Sequence, residues 1–232
     1  MTDTKMSYQV VGTAWPIHMN KALAENMYSN IKKVGMPEWS TEDQQLAHAV
    51  QKLLEAPAKD FLGRPIDGLR KALDTIKGSV PFSWGGGSDD IADVSWTIPT
   101  ITLNYPANIP GTKGHHWGDA IAMATPIAHK GILFGAKAEV MTLIDLLLKP
   151  EIIKNAWVYY RAEQTKDIQY TPLVGEKDNP AIYLNKKIME DYKPKLRPFY
   201  YNPLKYKTYL EQLGIQYPTL RADQKEAVMK LK

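Results

Sequence analysis

The stretch from Ile127 to Leu148 constrains this chain more than any other. It is apolar on several faces, opens on Thr125-Pro126 and stops at Lys149-Pro150. A capping threonine followed by proline in the first turn is a helix start, and a proline just past the last turn is a stop. A helix that is apolar all round cannot lie on a surface with one flank in water; it needs neighbours on more than one side. The pattern therefore predicts a long helix buried against a sheet. No uninterrupted apolar run reaches the ~18 residues of a membrane span, so no span is expected. With 232 residues and 44% hydrophobic side chains, the chain is long enough to bury a core around such a helix.

The segment before this helix alternates between helix and strand signals. Ser7-Tyr8-Gln9-Val10-Val11-Gly12-Thr13 reads as a strand. Asn20 then caps a helix carrying Leu23, Met27, Ile31 and Val34 at helical spacing, ended by Gly35 and Pro37. A second helix opens at Ser40, with Asp43 three residues on as an approximate capping box. Leu46, Val50, Leu53 and Leu54 form its apolar stripe, and Pro57 closes it. An irregular excursion with Gly63, Pro65 and Gly68 leads to a short helix over Leu69–Ile76. Gly85-Gly86-Gly87-Ser88-Asp89-Asp90 reads as a loop, because three glycines hold neither helix nor strand. Thr100 to Tyr105 alternates between prolines and reads as a strand. A polar stretch then reaches His115-His116-Trp117.

Beyond Pro150 the composition shifts. This part holds 10 of the 13 tyrosines and many prolines. It predicts one helix through Trp157, then an extended segment wrapping the domain, with a frayed helix at 223–232. Charge shifts as well: residues 1–148 hold 13 Lys+Arg against 15 Asp+Glu, and residues 149–232 hold 16 against 10. The lysines of the basic part are scattered among acids, with no Arg-rich run, so a nucleic-acid partner is not expected.

The chain has no cysteine. That excludes disulfides, thiolate catalysis and Cys-held metal, and leaves His18, His48, His115, His116 and His129 as the histidines that could hold a metal. His115 and His116 follow a glycine in a loop, where an imidazole can reach a metal or a substrate. Two ligands to one ion from adjacent residues are awkward, so one of the pair is the ligand at most. His129 lies at the start of the long helix, either as a structural group or near a site. His18 and His48 read as ordinary surface or boundary residues. Asp119 could orient a histidine by hydrogen bond or act as an exposed cap. The glycine loop lacks the lysine and spacing of a nucleotide loop. It can bring backbone close to a substrate, with Gly86, Gly87, Ser88 and Asp89 lining the pocket. It can equally be a tight turn whose acids cap the next helix.

The run GGGSDDIADVSWTIPT, then GHHWGDAIAMATPIAHKG, then the apolar helix resembles the C-terminal catalytic half of the two-zinc amidohydrolases of the aminoacylase and glutamate carboxypeptidase family, nearest the aminobenzoyl-glutamate hydrolase type. YQVVGTAW followed by NKALAENMYSNIKKVGMPEWSTEDQ resembles the same group's exit from its small lid domain. The likeness covers roughly residues 7–150. It implies the C-terminal part of an α/β sandwich, a mixed sheet flanked by helices, with a remnant strand of a lid. Residues 1–19 would end the lid, 20–149 would form half of the catalytic domain, and 150–232 would be a tail wrapping it. It further implies two zinc ions ~3.5–4 Å apart, bridged by a water and a carboxylate. His115 would be the last metal ligand, with His116 facing substrate and Asp119 and His129 supporting them. Most ligands and the glutamate base would come from an N-terminal half, in the same chain or a separate one, and the lid would make a homodimer. This chain alone is then expected to be inactive. A split subunit or a stand-alone binding domain are the alternatives. The polar start, Met1-Thr2-Asp3-Thr4-Lys5, lacks a signal peptide's apolar stretch. It predicts a cytoplasmic chain if authentic, with a periplasmic one possible if an upstream signal precedes it.

Overall fold

The computed structural model describes residues 3–60, 63–76 and 89–220. Its elements are helical: α1 Lys21–Val34, α2 Thr41–Leu53, α3 Asp90–Ser95, α4 Trp117–Ala120, α5 Pro126–Leu148, α6 Pro150–Tyr159, α7 Lys186–Leu196 and α8 Tyr209–Gln212, with short 3-10 turns and one π turn at Tyr160–Gln164. The chain forms two compact units. One comprises residues 1–26, 77–102 and 145–200, the other 27–76, 103–144 and 201–232. None of the described helices is long and apolar enough to cross a membrane.

The helices predicted from caps and spacing form where the signals place them. Asn20 accepts the Leu23 N–H at 3.3 Å, and Ser40 and Asp43 close a full capping box on α2. The expected α/β sandwich does not form. Among the described residues there is no strand, and the single β-bridge joins Lys59 to Pro65. The mixed sheet and the remnant lid strand are therefore corrected to a helical structure. Ser7–Thr13 and Thr100–Tyr105 carry no regular structure. Alternation of apolar and polar residues is only half of a strand; the other half is a neighbour that takes its N–H and C=O groups. Here those groups go elsewhere, as when the Thr100 carbonyl accepts the Asn20 N–H at 2.8 Å. The helix expected over Leu69–Ile76 is absent as well.

In the first unit, aromatic rings and a buried asparagine hold the chain. Trp96, 2% exposed, stands 5.5 Å from Trp15 and 5.6 Å from His18, and Tyr170 meets Trp15 edge-on at 5.3 Å. The fully buried Asn20 donates to the Ala156 carbonyl at 2.9 Å and to Gln164 at 2.8 Å. The tail thus packs through α6 and Tyr170, whereas α7 buries none of its side chains.

The second unit has its core at Ala47, Val50, Leu69, Ile109, Ala122 and Ile127. Two glutamines one heptad apart on α2 supply the hydrogen bonds that strand partners would supply. Gln44 bonds both backbone groups of Leu69, and Gln51 bonds those of Gly68 and also the Pro110 carbonyl. Gly68 sits at φ +60° with Gln44 and His48 against it, where a Cβ would collide. On the other side, α5 lies directly on Pro106-Ala107: a Cβ on Gly131 would fall 2.1 Å from the Pro106 carbonyl oxygen.

One buried charge is fully paired. Asp43, 0% exposed, takes Lys130 Nζ at 2.6 Å, Tyr217 Oη at 2.8 Å and the Ser40 N–H at 2.8 Å. Burial alone would raise its carboxyl pKa, but the hydrogen bonds from Lys130, Ser40 and Tyr217 outweigh burial and hold it below the ordinary value. Burial and the Asp43 contact push the Tyr217 hydroxyl upward. The depressed carboxyl adds stability that is present above the ordinary Asp pKa of about 4 and is lost as pH falls through the folded-state value. The raised phenol adds stability that is full below about pH 10 and is lost as pH rises beyond it. Breaking a buried ion pair costs several kcal/mol, so Asp43→Asn should lower unfolding stability by about 2–3 kcal/mol at pH 7. Urea melts of both proteins from pH 7 to pH 3 should show the gap shrinking in the acid range; a constant gap would mean that the charge of Asp43 is not what stabilises the unit.

Candidate functional site

The segment from Tyr105 to Ala120 carries the histidine motif, and its path is set by α5. With Pro106-Ala107 pressed on Gly131, the chain turns through Asn108, buries Ile109 and forms a loop that ends at α4. Asp119 ties this loop together. Its Oδ1 accepts Asn108 Nδ2 at 2.7 Å and Thr112 Oγ1 at 2.7 Å, and its carbonyl accepts Asn108 Nδ2 at 3.0 Å. Asp119 therefore supports the loop that presents the histidines rather than bonding to either ring.

His115 lies at the tip with φ +58°. The left-handed region is unfavourable for most side chains and tolerated by histidine, and it turns the residue outward, where it is exposed. Among the described residues no hydrogen bond engages its ring. His116 is the N-cap of α4: its Nδ1 accepts the Gly118 N–H at 3.1 Å. With Nδ1 accepting, the neutral ring carries its proton on Nε2, which is left as a donor. Its ring lies 5.1 Å from that of Trp117, itself 60% exposed. The two adjacent histidines thus have different states, one with both nitrogens open and one committed to a helix end.

The other singled-out residues are dispersed. Asp89 caps α3 by accepting the Ile91 N–H at 3.0 Å. Gly86, Gly87 and Ser88 lie outside the described residues. His129 is exposed on the first turns of α5. His48 Nε2 meets Asp67 at 2.9 Å. His18 packs on Trp96, and burial lowers its pKa.

A cleft of about 1040 Å³ opens in the second unit beside this loop, with Thr112, Lys113 and Asp119 in its wall. Across it stands a cluster that the sequence did not single out. The largely buried Asp60 accepts Arg64 Nε at 2.7 Å and Arg70 Nη2 at 2.6 Å, and the exposed Asp74 pairs with the same two guanidinium groups. Asp60 with Arg64 and Arg70 with Asp74 are each four residues apart, but neither pair lies on a helix, and the cross pairs Arg70–Asp60 and Arg64–Asp74 are brought together by irregular backbone. Two arginines against two aspartates make this wall polar but locally neutral.

Among the described residues no three His, Asp or Glu side chains converge as a metal site. His115 can offer one imidazole nitrogen; a catalytic zinc ordinarily needs about three protein ligands.

Along 170 residues the chain is 27% identical to one of the subunits of p-aminobenzoyl-glutamate hydrolase from Escherichia coli (strain K12). The chain is a distant homologue of a hydrolase subunit. The match takes in 67% of this chain but 35% of that protein, so the chain spans about a third of the length of the relative. No protein-family model matches the chain, and no solved structure does. The likeness supports an amidohydrolase-type relationship in coarse terms.

Removing the Asp119 carboxylate takes one acceptor each from Asn108 Nδ2 and Thr112 Oγ1, which keep the Asp119 and Ile109 carbonyls. A hydrogen bond contributes about 0.5–1.5 kcal/mol net, so Asp119→Ala should destabilise the protein by about 1–2 kcal/mol. Amide exchange should accelerate at 108–118 more than in α2. Uniform acceleration across the second unit would mean that Asp119 is not what orders the loop.

Proposed function

We propose that this chain is part of a metal-dependent amidohydrolase that cleaves the amide bond of a small acylated amino acid or peptide-like substrate, of the two-zinc aminoacylase and glutamate carboxypeptidase kind. The observation that supports it best is the 170-residue likeness to the p-aminobenzoyl-glutamate hydrolase chain. The GHHWG loop adds to it, because one of its histidines is open to a ligand and the other is aimed as a donor.

In this reading the chain works with an N-terminal part, carried in the same polypeptide or a separate one, that brings the remaining ligands, the glutamate base and a lid through which the enzyme dimerises. The zinc pair would supply a water ionised near neutral pH and would polarise the scissile carbonyl. This chain's own contribution is narrower. His115 would offer one ring nitrogen to a metal. His116, whose Nδ1 is fixed by the Gly118 N–H, would present Nε2–H to an oxygen of the substrate. Asp119 holds the loop so that both rings keep their places. His129 would stand behind the ligands.

The isolated chain, loaded with zinc, should therefore not hydrolyse p-aminobenzoyl-glutamate above a metal-free control. In the completed enzyme His115→Ala should lower zinc content and activity by more than the 10–100-fold typical of a residue that only orients a ligand. His116→Ala should retain zinc and lose turnover, and His129→Ala should be milder than either. Metal analysis and initial rates on the three variants side by side test this. Full zinc and normal turnover in His115→Ala would overturn the assignment of that residue. Turnover by the isolated chain would overturn the need for a second part.

A further inference from the structure

The long helix α5 has two unlike faces within the second unit. The face turned inward carries Gly131, Gly135, Ala138 and Thr142, all buried, small side chains that let the helix lie against its neighbours. The face turned outward carries the large ones. Ile132 is 60% exposed, Leu133 55%, Val140 53% and Leu143 53%, with Ile144 beside them. At 3.6 residues per turn these side chains, with Ala136, occupy an arc of about 120°. The charged neighbours stand at the margins of that arc, and Lys137 is drawn aside over the Phe134 ring at 5.0 Å. Single exposed aliphatics are ordinary, but a contiguous stripe of them marks an interaction surface.

We propose that this outer face of α5 is the docking surface for the missing part of the enzyme, an uncharged aliphatic face on the polypeptide that corresponds to the remainder of the relative. This rests on the function proposed above and adds the place where the two parts meet. Two observations select the occupant. The chain spans 35% of the relative's length, so an enzyme of that kind has about two-thirds of its mass to pack against this third. The stripe is also too broad for a self-paired coiled coil, whose seam takes only two positions per heptad; a width above about 100° is that of a helix packed into a larger body. The inner face reinforces the choice, since small residues are placed inward and bulky ones kept outward, the reverse of a helix whose only partner is its own domain. His129 shares the outer face at the helix start, which would bring the proposed junction close to the histidine loop.

The probe is the portion of the Escherichia coli relative outside the 170 matched residues, made as a separate polypeptide. It is mixed with the full chain, either unaltered or carrying Val140→Glu and Leu143→Lys. Both positions are exposed, so the double variant should keep the circular dichroism and melting temperature of the unaltered chain. The unaltered chain should form a one-to-one complex with amide exchange slowed along 129–144, and the double variant should bind at least ~100-fold more weakly, the loss expected when two charges are buried in an apolar contact. Equal binding by the double variant, no binding by the unaltered chain, or a dimer of the chain alone protected along 129–144 would each overturn the proposal. A complex that depends on α5 but hydrolyses nothing would sink the proposed activity and leave the surface standing. An active complex indifferent to the double substitution would do the reverse.

Discussion

The second unit depends on a backbone-to-backbone approach. α5 can lie on Pro106-Ala107 only because position 131 has no Cβ, and a methyl group there would fall 2.1 Å from a carbonyl oxygen. That contact decides three things at once. It places Ile109 in the core beside Ile127, it launches the loop that ends in the histidine pair, and it turns the bulky side of α5 away from the unit. A helix rich in leucine and isoleucine would normally bury its largest residues first, since each brings more apolar area out of water. Here close approach is gained with glycine, alanine and threonine, and the larger residues are left exposed.

Irregular backbone inside a packed unit needs hydrogen-bond partners, and buried polar side chains provide them. Gln44 and Gln51 reach from α2 to the 68–69 backbone and to Pro110, and Asn20 does the same for α6. Each such bond contributes only about 1 kcal/mol net. Leaving a buried amide unpaired costs more, so these residues matter most for what they prevent. Asp43 belongs with them: it caps α2, anchors α5 through Lys130 and receives Tyr217 from the C-terminal segment.

The chemistry available to the chain follows from this framework. The histidine loop is held by hydrogen bonds among Asn108, Thr112 and Asp119. The tautomer of His116 is set by a single backbone N–H, and the outward turn of His115 by its left-handed backbone. The loop offers one open imidazole, and among the described residues no metal cluster forms around it.

Local rules were enough to place the principal helices. Asn20 before α1, Ser40 with Asp43 before α2, and the proline brackets around α5 act through their own neighbours within a turn, so the sequence by itself determined where those helices start and stop. The motif that holds the candidate site was legible for the same reason, as a glycine-flanked pair of histidines next to a helix. What alternation could not determine was a sheet. Thr100 to Tyr105 has the pattern of a strand, but a strand exists only when a neighbour accepts its backbone, and here Asn20 takes the bond at Thr100. The tertiary structure alone decided that Asp43 would meet Lys130 and Tyr217, that Asp119 would hold Asn108 and Thr112, and that α5 would face outward with its larger side chains. These are meetings between residues distant along the chain or set by side-chain direction, and they depend on the folded path of the backbone rather than on any short stretch of it.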